Sequence, residues 1–142
     1  MKIVLLGAGA HSSGNHGPSL LRCKEEMGGE LELAAVCDLD GERAEGYARR
    51  FGFDRAYGDL EEMVVRERPD GIVAVTPLVV TEEIVSRILR LGVPMVVEKP
   101  PGESVAQARR LVDLAKELNA PHMVSFNRRF GPAFTKARQW LA

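Results

Sequence analysis

Cysteine is scarce: Cys23 and Cys37 are the only two in 142 residues. Two are too few for a disulfide framework, and they lack the paired spacing of a metal-ligating motif, so no metal site is expected. Reduced thiols fit a cytoplasmic protein. No charge of one sign dominates, with 19 Lys+Arg against 20 Asp+Glu and a net charge of −1. Such a balance gives no basic footprint, so nucleic acid is not an expected partner. Long apolar runs are absent too, and a membrane span needs about 18 such residues. The longest candidate, residues 72–80, is interrupted by Thr76 and Pro77, so no membrane partner is expected. The apolar start at residues 3–6 is too brief for a signal peptide and runs straight into Gly7-Ala8-Gly9. Internal repeats and low-complexity tracts are likewise missing. What is present is ordinary: 45% hydrophobic and 27% charged residues. The length suits one domain, which buries about 70% of the surface its unfolded chain exposes.

The hydrophobic pattern alternates between strand and helix. Strands are expected at residues 2–6, 31–37, 55–57, 71–75, 94–97 and 122–126, as short apolar or β-branched runs. Helices are expected at 18–27, 40–51, 79–91 and 132–141. Two more begin at the caps Asp59 and Ser104 and run to about 68 and 118. Strands alternating with helices imply right-handed crossovers and a parallel sheet. The expected fold is a doubly wound α/β domain.

In such a fold the strand ends carry the chemistry. The first strand enters Gly7-Ala8-Gly9-Ala10-His11-Ser12, where two glycines allow a tight turn and a close approach of a pyrophosphate. Ser12 stands where a third glycine is usual, and residues 12–17 read as a long polar phosphate loop in which Gly14 takes that glycine's part. Asp38 ends the second strand, where a carboxylate accepts hydrogen bonds from the adenosine ribose of NAD. It lies farther from Gly7 than the usual spacing of about 20, which the long loop explains. Arg43 could sit beside a 2′-phosphate, which keeps NADP open as the alternative. The fourth strand exits into Thr76-Pro77, which line the same carboxyl edge. The fifth exits into Glu98-Lys99-Pro100, placing an acid and a base side by side at that edge. Lys99 is the expected catalytic group, able to donate a hydrogen bond to a substrate oxygen. Glu98 is expected to pair with it or approach the nicotinamide. His11 and His16 are expected against phosphates or in solvent, and His122 in a structural role.

Together these pieces resemble the Gfo/Idh/MocA oxidoreductases, the glucose–fructose oxidoreductase and inositol dehydrogenase group. The resemblance rests on the Gly7-Ala8-Gly9 turn, Val36-Cys37-Asp38 with Arg43-Ala44, residues 57–63, residues 69–72, Thr76-Pro77 and residues 92–100. It implies an N-terminal Rossmann domain that binds NAD or NADP. It also implies a C-terminal domain that binds sugars or polyols for hydride transfer, and a catalytic-site role for Lys99. The family's asparagine and histidine after Thr-Pro are replaced by Leu78 and Thr81.

On this reading residues 1–123 form the dinucleotide-binding domain. Residues 124–142 resemble the passage into a substrate domain that is absent from these residues. Two functions follow: the cofactor-binding domain of an oxidoreductase, inactive alone, or a stand-alone dinucleotide-binding or regulatory module. Phe126, Phe130, Phe134, Trp140 and Leu141 would normally pack on the missing part, so self-association or a repacked terminal helix is expected.

Overall fold

The computed structural model describes residues 1–141. Six strands form one parallel sheet: β1 (Lys2–Leu6), β2 (Glu32–Cys37), β3 (Arg55–Tyr57), β4 (Gly71–Ala74), β5 (Met95–Glu98) and β6 (His122–Ser125). Their spatial order is β3-β2-β1-β4-β5-β6. That order is the doubly wound arrangement, which reverses direction between β1 and β4.

Residues in β1 alternate between the two faces, as strand geometry requires. Leu5 packs with Leu20 of α1 (Gly17–Glu26) and with Tyr47 and Phe51 of α2 (Gly41–Phe51). Val4 and Leu6 pack on the other face. There Met63 of α3 (Leu60–Glu67), Ile88 of α4 (Leu78–Leu91) and Leu111 of α5 (Val105–Glu117) cover the sheet.

The expected caps are in place: Asp59 accepts from the Glu62 amide at 2.7 Å and Ser104 from Gln107 at 3.2 Å. Asp40, expected as the first helical residue, is a third cap and accepts from the Arg43 amide at 3.0 Å. Each satisfies a first-turn donor that the helix itself leaves unpaired.

Two features differ from the expectation. Residues 12–17 are not a loop, because the helix begins at Ala10 and contains a π-turn at Ser12–His16 before α1. Buried contacts outweigh the polar sequence here. The Ser12 hydroxyl lies 2.8 Å from the Tyr47 hydroxyl with no exposure to solvent, and the Gly17 amide donates to the Ser12 carbonyl. Nor does Gly14 stand in for the third glycine, since nothing lies within 4 Å of where its side chain would start. The close approach in this segment is at Gly17, where a Cβ would meet the Phe51 ring of α2 at 2.7 Å.

At the far edge, β6 pairs with β5 through Ser125, so residues 124 and 125 belong to the sheet. A 3₁₀ turn, Asn127–Phe130, leads to α6 (Pro132–Leu141), and none of the residues of α6 is buried. Phe126, Phe130, Phe134, Trp140 and Leu141 are all exposed.

Candidate functional site

The carboxyl ends of β1, β2, β4 and β5 open into two clefts that share Gly9, Val75, Thr76 and Pro77. The larger, about 640 Å³, is lined by Asp38, Leu39, Arg43 and Val80 among others. The smaller, about 320 Å³, is lined by Ala10, His11, Ser12, Leu78, Glu98 and Lys99 among others. All eleven expected site residues thus line one continuous edge of the sheet, Gly7 among them in the larger cleft.

Gly7 adopts φ +99°, and a Cβ there would lie 1.9 Å from the Val75 carbonyl oxygen. Only glycine fits the turn. Gly9 meets nothing within 4 Å, so its backbone is open to a ligand. The helix that follows presents the amides of Ala10, His11 and Ser12, which have no carbonyl one turn earlier to bond. Such amides and the helix dipole favour an anion.

Asp38 is nearly buried and ties the turn to the end of β2. Its Oδ2 accepts from the Ala8 amide at 2.8 Å, and its Oδ1 accepts from the Asp40 amide at 3.0 Å. Arg43 Nη1 lies 3.4 Å from Oδ1, and its Nη2 bonds Asp40 at 2.7 Å. A carboxylate offers about four lone-pair directions, so Asp38 retains capacity for hydroxyl donors in the cleft.

Thr81, at the position of the family's histidine, is buried. Its hydroxyl donates to the Pro77 carbonyl at 3.1 Å and lies 3.3 Å from the Thr76 hydroxyl. Its hydroxyl braces the turn, and the residue contributes to the wall of the smaller cleft.

Glu98 has a partner that sequence reasoning missed. Its Oε1 accepts from His16 Nε2 at 2.8 Å, and His11 Nε2 lies 3.5 Å from the same oxygen. Its Oε2 accepts the Lys99 amide at 2.9 Å and lies 3.7 Å from Lys99 Nζ. Burial pushes the Glu98 carboxyl up, but the bond and charge of His16, the Lys99 amide and His11 outweigh it and hold the group below the usual carboxylate range. His11 and His16 are therefore not simply solvated or phosphate-facing; they converge on Glu98. No metal-ligand spacing was legible, yet the fold gathers these three groups. The available signal was His16-Gly17-Pro18, which resembles the family's histidine after the glycine turn. The Lys99–Pro100 peptide is cis. His122 Nδ1 lies 2.9 Å from the Ala120 carbonyl, away from the site.

Residues 1–126 match the GFO_IDH_MocA model, described as an oxidoreductase family with an NAD-binding Rossmann fold. The chain belongs to the Gfo/Idh/MocA oxidoreductase family. It is 31% identical over 132 residues to D-apiose dehydrogenase of Paraburkholderia graminis, covering 93% of this chain and 34% of that protein. It is 25% identical to inositol 2-dehydrogenase of Corynebacterium glutamicum over 98% of this chain and 40% of that protein. Its fold matches GenD2 from gentamicin A biosynthesis in complex with NAD, with a TM-score of 0.85 and 25% identity. That match covers 100% of this chain and 39% of the other. The chain thus spans between a third and two-fifths of the length of these relatives. It carries the NAD-binding domain of the Gfo/Idh/MocA dehydrogenases. Among the described residues, no helix is long and apolar enough to cross a membrane.

Proposed function

We propose that this domain holds NAD along the β1–β4 edge as the cofactor half of an oxidoreductase acting on a sugar- or polyol-like alcohol. The observation that carries the proposal is the joint placement of an open Gly9, unpaired first-turn amides and the Asp38 carboxylate along one cleft. The amides of Ala10, His11 and Ser12 take the pyrophosphate, and Asp38 accepts from the adenosine ribose hydroxyls. Arg43, held between Asp38 and Asp40, leaves the ribose site predominantly anionic, which favours NAD over NADP. Thr76, Pro77 and Glu98 shape the other end of the cleft. Bound NAD supplies hydride transfer at its nicotinamide. Lys99 is half exposed beside Glu98 and is free to donate a hydrogen bond from Nζ to the reacting oxygen of a substrate.

These residues include no convincing acid–base partner for Lys99. The whole protein's catalysis therefore draws on a substrate-binding part such as residues 124–142 resemble the entrance to. The exposed row from Phe126 to Leu141 packs against that part and, without it, against another copy of the chain. Titrating the 142-residue chain with NADH, followed by its emission, should give saturable binding. NAD with a panel of polyols should give no NADH, and light scattering should show association. Absence of NADH binding would overturn the cofactor reading, turnover the claim of inactivity, and a strict monomer the self-association.

A further inference from the structure

The dinucleotide reading uses the backbone of His11, takes Glu98 as part of the cleft wall, and gives the two imidazoles no task. His11, His16 and Glu98 place one ligand atom each within 4.8 Å of one another. Among the described residues, no other three His, Cys, Asp or Glu side chains converge this closely.

The convergence depends on the π-turn. Positions 11 and 16 are five residues apart, which puts them about 140° apart around an α-helix of 3.6 residues per turn. A π-turn closes on i to i+5 and returns them to one side. Here the turn spans Ser12–His16, and the two imidazole rings lie 5.9 Å apart, centroid to centroid. Both turn Nε2 toward the same oxygen of Glu98, at 2.8 and 3.5 Å. Metal bonds of about 2.0–2.2 Å place neighbouring ligand atoms about 3 Å apart or slightly more, so the spacing suits a shared cation. Glu98 is held by the Lys99 amide, and the Asn15 amide lies 3.4 Å from His11 Nδ1, steadying that ring from its far side. Partners of this kind orient ligating side chains.

We propose that His11, His16 and Glu98 form a binding site for a divalent transition-metal cation of the Zn²⁺, Co²⁺ or Ni²⁺ type. Two imidazoles and one carboxylate favour such borderline ions over Mg²⁺ or Ca²⁺, which take oxygen donors. Three protein ligands leave coordination positions for oxygen donors from a ligand in the same cleft. The site adjoins Lys99, so a bound cation competes with the ammonium for Glu98.

Cobalt is the direct probe, because its visible d–d absorption reports the ligand set. Chelator-treated 142-residue chain titrated with Co²⁺ should develop these bands and saturate at one equivalent. His11→Ala and Glu98→Gln should each weaken binding by at least about tenfold, while His122→Ala titrates like the parent. His11 is half exposed, so its removal leaves the fold intact, and circular dichroism verifies this for each variant. No absorption bands, or unchanged titrations for His11→Ala and Glu98→Gln, would overturn the site. NADH titration of the same samples keeps the two readings apart: cobalt bound without NADH contradicts only the cofactor reading, and NADH bound without cobalt contradicts only this one.

Discussion

Gly7 shows how narrow a residue-scale requirement can be. Its positive φ and its near contact with the Val75 carbonyl leave no volume for a single methyl group. Gly7→Ala should therefore cost about 3 kcal/mol or more, combining backbone strain with a forced shift of β4. For a domain of this size that corresponds to a melting temperature lower by about 10 °C, read by calorimetry; a change within 2 °C would show that the turn has room after all. Cys37 illustrates the opposite case, a reactive group made inert. Burial, with the charges of Asp59 and Asp38 adding, pushes its thiol up to about 12. The placement of Asp38, Thr76 and Lys99 at the carboxyl edge was legible because each follows a recognisable strand. Glu98's attachment to His16 was not, because the two are 82 positions apart and only the fold joins them.

Element boundaries followed the sequence wherever a local signal marks them. Asp40, Asp59 and Ser104 cap the helices they precede, and β1 and β3 begin and end where the apolar runs do. The segment from Ala10 to His16 defeated the same reasoning. Its Ser, Gly and Asn content favours a turn, yet burial of Ser12 against Tyr47 and the fit of Gly17 on Phe51 make it helical. Local propensity is a weak prior that tertiary contact overrides. Helix α3 carries a different dependence. Its Glu67 is almost fully buried and accepts from Arg55 at 2.5 and 2.7 Å and from the Tyr57 hydroxyl at 2.5 Å. The Arg55 bond, against burial, holds its carboxyl below the usual carboxylate range. A depressed acid stabilises the fold above its unfolded value, about 4.3, and that stabilisation is lost as pH falls through the folded value. Glu67→Gln should therefore be less stable by about 2 kcal/mol at neutral pH, in urea denaturation. The gap should close as the medium is acidified below pH 4; an equal gap at both pH values would contradict the assignment.

At the scale of the whole molecule, the strand order brings residues from four distant stretches to one edge. The reversal between β1 and β4 opens the crevice in which doubly wound sheets bind their ligands. This much was legible, since alternating strands and helices permit few other topologies. The exposed aromatic row beyond β6 was legible only as a surplus of apolar residues, because no described element packs over it. The central claim is that this edge binds NAD with Asp38 at the ribose. Calorimetric titration of the chain with NAD and NADP in parallel tests it most directly. NAD should bind at one site, with NADP at least about tenfold weaker, the penalty for setting a phosphate against a carboxylate. No heat of binding for either, or a preference for NADP, would contradict it.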